Sequence, residues 1–128
     1  MSAMTDYTEE RCLKHFCGIT SFTMPSSLFV ALHTASPGET GASNEVTGGS
    51  YARQSATFTW NSGSTRAENS AQLSFTGMPA VTVSHWSIKD ASSGGNTLFY
   101  GAFSATVTLS TSGGEVRIPS GSLRLTAD

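Results

Sequence analysis

The residues of this 128-residue chain best suited to chemistry are three histidines, His15, His33 and His85, and two cysteines, Cys12 and Cys17. A hydrolase needs a nucleophile, a base and an orienting acid that meet in space. The histidines fall in three different predicted elements, and nothing in their spacing assembles such a set. Ser and Thr are so frequent that a hydroxyl near a histidine carries little information. His33 reads as a strand-end residue bonded to loop backbone, and His85, beside Trp86, as a feature of a bulge or a sheet edge. Cys12-x-x-His15-x-Cys17 lies on one predicted helix, where the three groups do not converge and a fourth ligand is missing. Reduced thiols, and no metal, are expected there.

The acids Glu39, Glu45, Glu68, Asp90 and Glu115 fall mainly in loops or at strand ends. A glycosidase needs two carboxylates facing each other about 5 to 9 Å apart, and no stretch points to such a pair. The chain has no Asp-x-Asp-x-Asp-Gly calcium loop. It has no Gly-x-x-x-x-Gly-Lys phosphate loop either, because Gly94, Gly95, Gly113 and Gly114 belong to hairpin turns. No cofactor and no catalytic residue are expected. Tyr51 and Arg53 share one face of a predicted strand. They form either a polar and aromatic contact surface for another protein or an outer sheet face with Arg53 paired to a local acid. With Pro37, Glu39, Asn44 and Glu45 of the preceding loop, they make up the candidate protein-interaction residues.

The elements that position these groups follow from pattern. A chain of this length amounts to one domain, spanning 1–128. Charged residues are only 12% of it and glycine occurs 13 times, which suits many short strands joined by turns. Asp6 and Glu9 resemble a capping box, and Leu13, Phe16 and Cys17 form an apolar stripe that stops at Gly18, so a short helix is predicted over about 6–17. Strands then occupy about 28–126. Leu28 to Thr34 is apolar on both faces and is expected to be covered by the opposite sheet and by the helix. Ser50 to Trp60 places Ala52, Ala56, Phe58 and Trp60 on one face, and Leu73 and Phe75 mark another strand. Val81 to Lys89 changes parity between Val83 and Trp86, which predicts a bulge near Ser84 and His85. Residues 91–96, ASSGGN, are a turn that pairs Trp86–Lys89 with Thr97–Phe103 as a hairpin. Val107 and Leu109, Val116 and Ile118, and Leu123 and Leu125 complete about eight strands. The predicted fold is all-β, a two-sheet β-sandwich or jelly roll with a short N-terminal helix.

A formal net charge of −2 with scattered basic residues gives no footprint for nucleic acid. The sequence shows no signal-peptide pattern, and no apolar run approaches the ~20 residues that span a bilayer. A soluble protein without membrane or nucleic-acid partners is expected.

Four blocks carry a family likeness: Leu28 to Glu39 (LFVALHTASPGE), Asn44 to Gln54 (NEVTGGSYARQ), Val81 to Ala91 (VTVSHWSIKDA) and Gly94 to Ala102 (GGNTLFYGA). In this order they resemble small structural proteins of tailed bacteriophages, commonly labelled tail-fibre-like. The likeness runs from the N-terminal helix to the closing Gly121 to Thr126. It implies a non-enzymatic virion component, assembled in the cytoplasm of the bacterial host, with major capsid or tail proteins as partners and a homotrimer as the assembled form. The compact size and the absence of a fibrous repeat favour a capsid decoration, or cement, protein on the outer shell. A tail or tail-fibre-associated adaptor or adhesin is the alternative. In either case Ser36 to Ser50 is expected to be an assembly loop. A carbohydrate-binding module or small glycan hydrolase, with Trp60, Trp86 and Tyr51 stacking on sugars, is a third reading of another class.

Overall fold

The computed structural model describes residues 2–127; Met1 and Asp128, the two ends of the expected domain, lie outside them. The described elements are β1 (Ser2–Met4), α1 (Asp6–Phe16), β2 (Leu28–His33), β3 (Gln54–Ala56), β4 (Phe58–Asn61), β5 (Arg66–Asn69), β6 (Leu73–Met78), β7 (Thr82–Lys89), β8 (Thr97–Thr108), β9 (Gly114–Ile118) and β10 (Arg124–Leu125). They form antiparallel sheets ordered β1-β8-β7-β2-β3, β10-β5-β4 and β6-β9. Val30, Leu32, Trp86 and Ile88 of the five-stranded sheet share one core with Leu73, Phe75, Val116 and Ile118 of the two-stranded sheet and Leu125 of the three-stranded one. The smaller sheets therefore make up the second layer of a sandwich.

The ASSGGN hairpin forms as its turn chemistry requires, with Trp86 opposite Gly101 and Lys89 opposite Thr97. The bulge also falls where parity changes, because the register slips between Val83 and His85. Three features differ from the sequence pattern. The predicted strand 50–60 begins only at Gln54 and breaks at Thr57, so that β3 pairs with β2 while β4 turns into the three-stranded sheet. Val107 belongs to β8, which continues unbroken from Thr97 to Thr108. The strands β1 and β5 are too short and too polar to show alternation. Buried Asn69 fixes the end of β5: its amide donates to the Ala71 and Pro119 carbonyls, and its oxygen accepts from the Leu123 amide.

The helix forms where predicted, but its cap is Thr5, whose hydroxyl accepts from the Thr8 amide at 3.4 Å. Asp6 and Glu9 instead occupy the first turn, where their charge complements the helix dipole. At the other end Gly18 takes φ 71°. The amides of Gly18 and Ile19 reach back to the carbonyls of His15 (3.3 Å) and Lys14 (2.8 Å), a Schellman turn. The expected packing of α1 on β2 does not occur. Its main neighbours are β8 and β1, Thr8 is its buried residue, and the stripe of Leu13, Phe16 and Cys17 faces solvent.

Candidate interaction surfaces

The outer face of β2 and β7 is covered by the loop that leaves His33. This loop turns back so that residues 44–46 run antiparallel to the end of β2: the Thr34 amide donates to the Asn44 carbonyl and the Val46 amide to the Leu32 carbonyl, both at 2.9 Å. Beneath it lies a row of polar side chains. His33 Nδ1–H donates to the Ser43 carbonyl at 2.8 Å, and its Nε2 accepts from the Ser87 hydroxyl at 2.8 Å. Lys89 Nζ donates to the Gly41 carbonyl at 3.0 Å and to Thr97 Oγ1 at 2.6 Å. Gly41 has φ 68°, and a Cβ there would lie 2.2 Å from Thr97 Cγ2. Only glycine lets the loop descend this far.

The His33–Ser87 pair has the atoms of a hydrolytic dyad but not its setting. Both residues are fully buried, and the second ring nitrogen bonds a backbone carbonyl instead of an acid. Burial, partly opposed by the Ser43 bond and the Glu45 charge, pushes the imidazole down to about 4. At neutral pH it is an uncharged strut.

Tyr51 and Arg53 lie in irregular backbone ahead of β3, not on a strand, yet both converge on Glu45. Arg53 grips the carboxylate with two nitrogens at 2.9 and 2.8 Å, and its Nη1 donates to the Ala91 and Gly94 carbonyls of the hairpin turn. The Tyr51 hydroxyl accepts from the Leu32 amide and donates to Glu45, while its ring stacks on Phe75. Burial pushes the Glu45 carboxyl up, but the Arg53 and Tyr51 bonds outweigh that effect and hold it below the usual carboxylate range. Burial raises the Tyr51 hydroxyl, and the adjacent Glu45 adds to this. Arg53 is thus paired to a local acid within the chain.

The other three candidate residues separate. Pro37, itself part of the loop, is fully buried. Glu39 is exposed and accepts from the Tyr100 hydroxyl, a bond that pushes the Tyr100 hydroxyl up to about 12. Asn44 is exposed at φ 64° and ties its amide to the Ser36 carbonyl. Cys12 and Cys17 are free thiols, and no cluster of three or more His, Cys, Asp or Glu is placed for a metal among the described residues. Of the aromatic residues in the sugar-binding reading, Trp86 is in the core, Tyr51 is partly buried with its ring stacked on Phe75, and Trp60 is exposed.

Trp60, expected on the same face as Ala56 and Phe58, is 66% exposed because β4 is the edge of its sheet. It stands at a groove of about 500 Å³ where the five- and three-stranded sheets part, lined among others by Leu28, Phe58, Ala67, Phe99 and Leu125. A groove of this size falls in the range of ligand and peptide sites. No sequence signal marked it, because Ala56, Phe58 and Trp60 keep one parity while the strand breaks at Thr57 and moves Phe58 and Trp60 into another sheet. A second uncovered apolar surface runs along the end of α1 and the following turn, where Leu13, Phe16, Ile19 and Met24 are exposed.

Residues 3–126 match the family described as Podophage GP4 fiber I protein gp80. No curated protein matches the chain.

Proposed function

The chain belongs to the podophage GP4 fiber I protein family, a phage fibre family and hence a virion component, and on that premise we propose that it is a non-enzymatic subunit of the tail-fibre apparatus. The observation that carries this reading is the match over nearly the whole chain to a family described by its fibre. The same description favours the tail-associated alternative and sets aside the preference for capsid decoration that compact size and the absence of a fibrous repeat suggested.

The fold supports an adaptor role better than a catalytic one. The groups most suited to chemistry, His33, Ser87, Glu45 and Arg53, are consumed in holding one loop to the sheet. That loop then offers a rigid edge, with Glu39 and Asn44 as its outward contacts to neighbouring tail or fibre proteins. Multiplying such modest polar contacts in a symmetric, trimeric assembly gives firm retention.

Immunogold labelling of intact phage with antibody raised against this chain tests the location. Gold at the tail or its fibres is expected, and gold spread over the head would refute the tail assignment.

A further inference from the structure

We propose that the cleft between the covering loop and the β7–β8 hairpin turn binds a small carboxylate, held by the buried ammonium of Lys89. The cleft, of about 260 Å³, is lined among others by Thr40 of the loop, by Glu45 and Arg53, by Lys89 at the end of β7, by Asn96 of the turn and by Tyr7 of α1. Lys89 is only 4% exposed. An ammonium has three hydrogens to donate, and the Gly41 carbonyl and Thr97 Oγ1 take two of them. Among the described residues Lys89 forms no ion pair.

The acids around the cleft are spent elsewhere. Glu45 is held by Arg53 and Tyr51, Asp90 by the backbone and side-chain amides of Asn96, and Glu39 by the Tyr100 hydroxyl. Arg53 and Glu45 cancel each other, so Lys89 remains the unbalanced charge of the lining. The Arg11 guanidinium, 4.9 Å from the centre of the Tyr7 ring, adds a positive charge at the same end. A buried charge without a counter-ion is costly. Burial and the Arg53 charge lower the Lys89 ammonium below its ordinary value, and the charges of Glu45 and Asp90 offset this only in part. An anion entering the cleft supplies the missing compensation.

The hydrogen-bonding capacity left over selects the kind of anion. Thr40 and Asn96 are exposed, and the Thr40 hydroxyl and the second hydrogen of the Asn96 amide join the third Lys89 hydrogen as donors. The acceptors beside them, the Glu45 carboxylate and the Gly41 and Gly94 carbonyls, already accept. A carboxylate is an acceptor only, and its single charge balances one ammonium, whereas a sulfate dianion overcharges the site. Sites for drug-sized ligands begin at about 300 Å³, so this cleft suits a small acid or one acidic side chain.

Amide NMR spectra of the full chain, titrated at constant ionic strength, test the site. Acetate is the probe for a free small acid, and a glutamate residue blocked at both ends is the probe for an acidic side chain of a neighbouring protein. At least one is expected to bind saturably at millimolar concentration, with shifts centred on Thr40, Gly94, Gly95 and Asn96, and the tighter of the two identifies the source. Acetamide, the neutral counterpart of acetate, should leave these signals in place. Lys89→Met should abolish the response, with circular dichroism as the check on folding. Thr40→Val changes an exposed side chain, keeps the fold and should weaken binding about tenfold, the loss of one hydrogen bond to a charged group. Shifts scattered over the surface, a response to acetamide, sulfate binding as tight as the carboxylates, or a Thr40→Val chain that binds like wild type would each overturn the proposal. These outcomes are independent of where the gold label falls on the particle.

Discussion

Replacing Arg53 by Ala is expected to lower the unfolding free energy by about 3 kcal/mol, the lower end of what breaking a buried ion pair costs. The lower end applies because the pair is not fully dry: the Arg53 and Glu45 side chains are 10% and 23% exposed. The loss is large because one guanidinium serves three segments. It holds Glu45 of the covering loop with two bonds and the hairpin turn through the Ala91 and Gly94 carbonyls. Removing it leaves a half-buried carboxylate, which is costlier than removing both charges. The Glu45→Ala/Arg53→Ala double variant should accordingly lose less than the sum of the two single variants. Urea unfolding gives these values, and limited proteolysis should find new cleavage between residues 38 and 50 in Arg53→Ala. A cost below about 1 kcal/mol, the range of surface pairs, would mean that the network does not hold the loop.

The second large effect concerns pH. His33 is fully buried and its imidazole is lowered from 6.5 to about 4, chiefly by desolvation. The unfolded chain takes up this proton as pH falls through 6.5, while the folded chain does not until about 4. Stability is therefore complete above 6.5 and falls across that window, by about 3 kcal/mol in total. Glu45 acts lower on the scale. Its folded carboxyl is depressed below the ordinary 4.5, so its contribution is present above that value and is lost as pH drops through the lowered one. Unfolding measured between pH 7 and 4 should show the first slope, and His33→Gln should flatten it even though that variant starts from lower stability. An unchanged slope in His33→Gln would assign the acid sensitivity to other groups.

Much of the sheet was legible because its signals are local. Two glycines in ASSGGN set the β7–β8 hairpin, and the parity change beside His85 marked the bulge. The covering loop was not legible as a cover. Its Pro and Gly content reads as an outward assembly loop, and only the three-dimensional register brings Gly41 over Lys89 and Ser43 over His33. The same limit applies to Tyr51, Arg53 and Glu45: their types suggested contact, but which partner they meet depends on how the loop folds back. The helix misled in another way. An apolar stripe at helical spacing predicts a buried face, and here Leu13 and Phe16 face outward, away from β8 and β1. Trp60 likewise kept the parity of its neighbours while its strand changed sheet. Both departures are apolar residues in exposed places, where a local rule is broken without gain inside the fold.

The most direct test of the tail-fibre assignment is the copy number of this chain in purified particles, measured by quantitative mass spectrometry against the major capsid protein. A fibre subunit attached at the tail predicts on the order of one copy per hundred capsid subunits, as symmetry at a single site requires. A ratio near one copy per capsid subunit would instead place the chain on the shell and contradict the assignment.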